Sequence, residues 1–104
     1  MDRETAIKNA TAYAKEVCNV FSPFLIIMYG SHANGTQTHD SDIDVAVIFD
    51  GYSGKWLKDS SQLWKLTRNV STDIEPVLLD KAKDPSGFVE DIMKTGEVLY
   101  SAIV

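Results

Sequence analysis

The sequence predicts an α/β fold: a small mixed β-sheet with helices packed on it. Three observations predict it. Two short apolar or β-branched stretches, Phe24–Tyr29 and Asp42–Phe49, are too short for independent helices and read as strands. Three other stretches repeat apolar residues at steps of three and four, the spacing of a helix face. The connections between them are short, which favours helices layered directly on a sheet. A chain of 104 residues has room for one ordinary core, so residues 1–104 are expected to form a single domain.

The first stretch carries Ile7, Ala10, Ala14, Val17 and Phe21 on one helical face. It should stop before Pro23, because the residue ahead of a proline is pushed out of the helical region. Cys18 sits on this helix and reads as a small, partly buried apolar residue. Phe24–Tyr29 is a continuous apolar run, as expected of a strand covered on both faces. In Asp42–Phe49, Ile43, Val45, Val47 and Phe49 share one face, and Asp42, Asp44, Ala46 and Ile48 share the other. Asp50-Gly51 and Ser53-Gly54 mark a turn. Lys55–Asn69 is a helix candidate whose stripe is Trp56, Leu57, Ser60, Leu63, Trp64 and Thr67, with the two tryptophans read as core anchors. Asp73–Leu79 reads as a third strand, and Pro76 within it places that strand at an edge or a bulge. Asp84 is expected to cap a last helix with Pro85 at its first position, Phe88, Val89, Ile92 and Met93 as its stripe and Gly96 as its stop. Val98–Val104 follows as a short strand or docked tail.

Composition narrows the class. Hydrophobic residues make up 44% and charged residues 24%, which excludes a mainly disordered or collagen-like chain. The longest apolar run, six residues, falls far short of the roughly 20 that a membrane span needs. The polar start, Met1-Asp2-Arg3-Glu4-Thr5, lacks a signal peptide's apolar stretch, and one cysteine excludes an intrachain disulfide and a cysteine-rich zinc site. A cytoplasmic protein is the simplest expectation. Fifteen acids against ten bases, with no basic run, argue against direct binding of nucleic acid.

The chemistry concentrates in residues 30–44. A strand runs into Gly30-Ser31, where a short helical turn could start. Unpaired backbone N–H groups, a glycine without Cβ and a hydroxyl together resemble a phosphate cradle. After ten intervening residues come Asp42 and Asp44, two apart on a strand and so on one face. Carboxylates that close raise each other's proton affinity unless a cation sits between them, and hard oxygen ligands favour Mg²⁺ or Mn²⁺. Two rival motifs fail. An EF-hand starting at Asp40 would need Gly and Glu where Val45 and Gly51 stand, and Gly54-Lys55 is followed by Trp56 instead of a Walker hydroxyl. The remaining rival is a solvated acidic turn, Asp40-Ser41-Asp42, leading into a strand.

Gly30-Ser31, the ten-residue gap, Asp42-Ile43-Asp44 and the following Val45-Ala46-Val47-Ile48-Phe49 resemble the signature of the DNA polymerase beta superfamily of nucleotidyltransferases, and most of all its minimal nucleotidyltransferases. The likeness runs over most of the chain. It implies a polymerase beta-like palm fold and a two-ion reaction with Mg²⁺, or Mn²⁺ in its place. Asp42 and Asp44 would hold both ions. A third carboxylate, taken as Glu75 with Asp73 as the alternative, would hold the catalytic ion. Gly30 and Ser31 would bind the outer phosphates of ATP. A hydroxyl would attack the α-phosphate, and pyrophosphate would leave. Relatives commonly read Gly-Ser-x-Ala-Arg-Gly, whereas this chain has Asn34 at the arginine position, which bears on nucleotide affinity. His32 and His39 are read as loop residues that could at most touch phosphate.

The resemblance also implies a partner. Minimal nucleotidyltransferases often serve as antitoxins of HEPN-domain toxins, modifying a toxin tyrosine. With no length left for an acceptor-binding domain, the acceptor is expected to dock as a separate protein, or the chain to form a homodimer or hetero-oligomer. The competing reading is a binding module of the same fold that neutralises a partner by masking it.

Overall fold

The computed structural model describes residues 2–35 and 42–102. Helix α1, Arg3–Cys18, begins where the Asp2 carboxylate accepts the Thr5 N–H at 2.8 Å, filling one of the donors a helix start leaves open. It buries Ala6, Ala10, Tyr13, Ala14 and Val17. The alanines let the helix approach the sheet closely. Tyr13 fills the centre and donates its hydroxyl hydrogen to the Leu63 carbonyl at 2.7 Å. Ile7 and Phe21, expected in the stripe, pack at its margin.

Four strands form one mixed sheet in the order β3-β2-β1-β4. Strand β1, Leu25–Tyr29, is antiparallel to β2, Ile43–Phe49, and to β4, Glu97–Ser101. Strand β2 runs parallel to β3, Ile74–Asp80, through the crossover helix α3, Trp56–Leu66, which a 3₁₀ turn extends over Thr67–Asn69. A one-turn helix, α2, Ser31–Asn34, follows β1, and α4, Phe88–Thr95, precedes β4. The α/β architecture is the one the sequence predicts. Pro76 stands on β3, an edge strand, where its missing N–H costs no ladder bond on the open side. The last strand ends at Ser101, and residues 103–104 lie outside the described residues.

Strand parity sorts the core into two layers. Ile26, Met28, Ile43, Val45, Val47, Ile74 and Leu78 face α1 and α3. Leu25, Ile27, Ala46 and Ile48 face Val89 and Ile92 of α4. Asp42, Asp44 and Glu75 share the parity of this second face.

Two expectations are corrected. Trp56 and Trp64 do not anchor the core: they are 53% and 49% exposed, and Leu63, Leu66 and Thr67 face inward instead. The Tyr52 hydroxyl donates a hydrogen bond to Asp59 in the first turn of α3. Pro85 does not open α4, which starts at Phe88 after Gly87. Asp84 still caps it from a distance, its carboxylate accepting the N–H groups of Val89 and Glu90 at 3.0 and 3.1 Å. Among the described residues, no helix is long and apolar enough to cross a membrane.

Candidate active site

The end of β1 delivers the chain into the site. Gly30 adopts φ +78° and ψ −150°, a region essentially closed to residues with a Cβ. It also lies directly against Asp44: a Cβ added here would run into that carboxylate and come within 3.3 Å of its Cγ. One glycine thus meets a conformational demand and a spatial one. The α2 turn closes when the Asn34 N–H donates to the Gly30 carbonyl at 3.0 Å. Ser31 opens that turn and is half-buried beside the glycine.

The turn is braced from outside. His32 is fully buried, which removes it as a phosphate contact and corrects the loop reading. Its carbonyl accepts a hydrogen bond from Arg3 Nε at 3.2 Å, and the same guanidinium pairs with Glu97 at 3.5 Å. Arg3 therefore ties α1, α2 and β4 together. Nothing in the sequence around Arg3 signals this role.

The ladder brings the acids together. Asp44 sits opposite Tyr29 on one side and opposite Glu75 on the other. Asp42 precedes it by two positions on the same face. The Asp44 carboxyl is pushed above its ordinary range by burial, then by the Asp42 charge, with His32 opposing. Glu75 is pushed up by desolvation, by the Asp42 charge, by a side-chain hydrogen bond with Asp42 and by the Asp44 charge. Glu75 is the acid of β3 brought to the pair. Asp73 lies just before the strand and joins the ladder through its carbonyl, which accepts the Ile43 N–H at 2.8 Å.

Tyr29 is a neighbour that sequence reading missed. Its phenol is raised by burial and by the Asp44 and Glu75 charges, and its ring meets Phe88 of α4 edge-on at 5.7 Å. Alternation along β1 put it on the face of Leu25 and Ile27, but only the pairing register reveals that this is the face of the acids.

Among the described residues, no three His, Cys, Asp or Glu side chains are gathered into a ready clasp for a metal ion. The donor set nonetheless has the chemistry of one. It consists of hard oxygens held on a common face beside a backbone without Cβ, with Asp44 and Glu75 raised in proton affinity, and a hard divalent cation is the partner that relieves such crowding. His39, Asp40 and Ser41 lie outside the described residues. Asn34 is exposed at the end of α2.

The profile of the family described as polymerase beta, nucleotidyltransferase, matches residues 13–102. No curated protein matches the sequence. Among solved structures, a protein of Sulfolobus solfataricus crystallised as a candidate nucleotidyltransferase superposes with a TM-score of 0.70 at 21% identity, over 96% of this chain and 84% of the other. A chain from a crystallised toxin–antitoxin with AMP-PNP superposes with a TM-score of 0.61 at 20% identity, over 89% and 74% of the two chains. At these identities the structural likenesses establish the shared fold.

Proposed function

The chain belongs to the polymerase beta nucleotidyltransferase family, and from that premise we propose that it transfers AMP from ATP to a hydroxyl of a partner protein, in the manner of an antitoxin that modifies its HEPN-domain toxin on tyrosine. The observation that carries the transfer reading is the placement of Asp42, Asp44 and Glu75 on one sheet face beside Gly30-Ser31. The crystallised toxin–antitoxin with AMP-PNP shares this fold and supports both the adenine nucleotide and the partner.

Asp42 and Asp44 would hold Mg²⁺, with Glu75 joining them on the ion that serves the attacking hydroxyl. Bound there, the cations would neutralise phosphate charge and polarise the reacting oxygens. The chain's own groups do the rest. Gly30 lets the nucleotide's outer phosphates approach the backbone, and Ser31 offers them its hydroxyl. Glu75, opposite Asp44 on the ladder, would help activate the incoming hydroxyl. The oxygen–phosphorus bond to the acceptor forms as the α–β phosphoanhydride breaks, and pyrophosphate leaves with the electron pair. Positioning of the acceptor must come from the partner, because orientation supplies much of the rate of such a step.

The test incubates the chain with ATP labelled at the α-phosphate, Mg²⁺ and a candidate partner. Label on the partner is expected, lost in Asp42→Asn. In Glu75→Gln, transfer should fall while calorimetry still detects nucleotide. A partner that is bound and neutralised without label would overturn transfer and leave masking as the function.

A further inference from the structure

We propose that the exposed face of α3 is a docking surface for an amphipathic helix of a partner protein, one whose apolar stripe is flanked by glutamates or aspartates. The surface lies on the sheet face opposite the acidic site, and the inference stands whether or not the chain transfers a nucleotide.

Helix α3 divides lengthwise into three sectors. Leu63, Leu66 and Thr67 pack inward. Leu57 and Trp64, 78% and 49% exposed, form the next sector. They stand seven residues apart, so they lie along one stripe parallel to the helix axis. Exposed Arg68 continues that stripe on the 3₁₀ turn, and exposed Lys58 and Lys65 form the third sector beside it. Trp56, the first residue of the helix, lies in line with Leu63 and is also exposed. A solvent-facing helix has no folding reason to display both tryptophans of the chain. Large exposed apolar groups side by side mark interaction surfaces, and tryptophan and arginine are the residues on which binding energy concentrates.

Charge selects the occupant. The segment 55–69 holds four of the chain's ten bases and a single acid, Asp59, in a protein of net charge −5. Asp59 is engaged by the Tyr52 hydroxyl, so the exposed edge of the helix is cationic. An acidic flank on the incoming helix complements it. A second copy does not: a two-fold contact would set α3 against itself, cation against cation. Nucleic acid is also disfavoured, because the rest of the chain is strongly acidic.

Both tryptophans of the chain are exposed on α3, and Trp64 lies on the stripe itself, so tryptophan fluorescence reports this helix. The full-length chain is titrated with a synthetic amphipathic peptide bearing a leucine heptad stripe flanked by glutamates. Its lysine-for-glutamate counterpart and oligothymidylate are titrated in parallel. A saturable blue shift is expected with the glutamate peptide only, weakening as salt rises. Leu57→Ser and Lys65→Glu, both at exposed positions and keeping both tryptophans, should each weaken it by about tenfold. An unchanged emission with the glutamate peptide overturns the proposal, as does binding by both variants as tight as that of the unsubstituted chain. Tighter binding of oligothymidylate would make the face a nucleic-acid surface. Self-association in sedimentation that Leu57→Ser abolishes would make it a homodimer interface. Either result refutes the acidic-helix occupant.

Discussion

Gly30→Ala tests whether the Gly30-Ser31 turn and the acid beside it are built as one unit. The backbone at Gly30, φ +78° and ψ −150°, costs a residue with a Cβ about 1–3 kcal/mol. The added methyl would also meet the Asp44 side chain, and crowding of that kind costs about 1–3 kcal/mol more. The sum, about 2–6 kcal/mol, is a large share of the roughly 5–15 kcal/mol that holds a small domain folded. Gly35→Ala is the control. Gly35 also has a positive φ, +75°, but a Cβ there meets nothing within 4 Å, so only the backbone cost of about 1–2 kcal/mol applies. Urea denaturation of both variants gives the difference. Repeating Gly30→Ala in an Asp44→Ala background removes the crowding and leaves the backbone cost, so the double-mutant cycle should show a coupling of about 1–3 kcal/mol. If Gly30→Ala costs no more than Gly35→Ala, or costs the same with and without the Asp44 side chain, the close approach of glycine and carboxylate is not a determinant of this turn.

Three further outcomes are expected. Asp44 and Glu75 are raised in the folded state, which therefore binds protons that the unfolded chain has released; their contribution to stability is most favourable below the ordinary carboxylate range and declines as pH rises through the raised values. Without metal, Asp44→Asn or Glu75→Gln should thus raise Tm at neutral pH and lose that advantage in acid, and a lower Tm for Asp44→Asn at neutral pH would contradict the crowding of the acids. Tyr13→Phe removes the buried bond to the Leu63 carbonyl and should cost about 1 kcal/mol by urea titration, without altering nucleotide binding. Mg²⁺ with ATP should raise the Tm of the chain, because a ligand of the folded state alone stabilises it; Asp42→Asn should abolish that rise, and its persistence would remove Asp42 from the proposed ion-binding set.

How much the sequence disclosed depended on whether the governing constraint was local. The faces of β2 were legible because side chains alternate strictly along a strand, so Asp42 and Asp44 had to share a face opposite Ile43 and Val45. Pro76 at an edge followed from its missing donor. Helix faces were read less well, since a helical stripe can rotate by one position and keep its apolar count. In α1, Ala6 and Tyr13 displaced Ile7 and Phe21 from the centre because the alanines permit close approach and the tyrosine hydroxyl finds Leu63. In α3, Leu63 and Leu66 turned inward and both tryptophans stayed exposed, a choice of face that the apolar count alone does not make. Glu75 was singled out over Asp73 by its pattern alone; its neighbourhood with Asp44 rests on the parallel register of β2 and β3, which no local signal encodes. Tyr29 and Arg3 were invisible for the same reason.

The three acids are not fixed to the same degree, and the difference follows from the sheet. Asp44 lies in β2, with ladder partners on both sides, Tyr29 and Glu75, so its backbone is held from two directions. Glu75 lies in β3, an edge strand paired on one side only. Asp42 precedes the first residue of β2 and lies before the ladder begins. The most constrained acid is therefore the one pressed against Gly30, and the least constrained is the one that hydrogen-bonds Glu75. Repulsion within such a set relaxes where the backbone is least held: Asp42 and Glu75 can draw together or part, while Asp44 cannot move without disturbing the central strand. The arrangement keeps one carboxylate as a rigid reference beside the Gly30-Ser31 turn and leaves two adjustable ones, a division that would suit the proposed transfer, in which the occupants change charge and position.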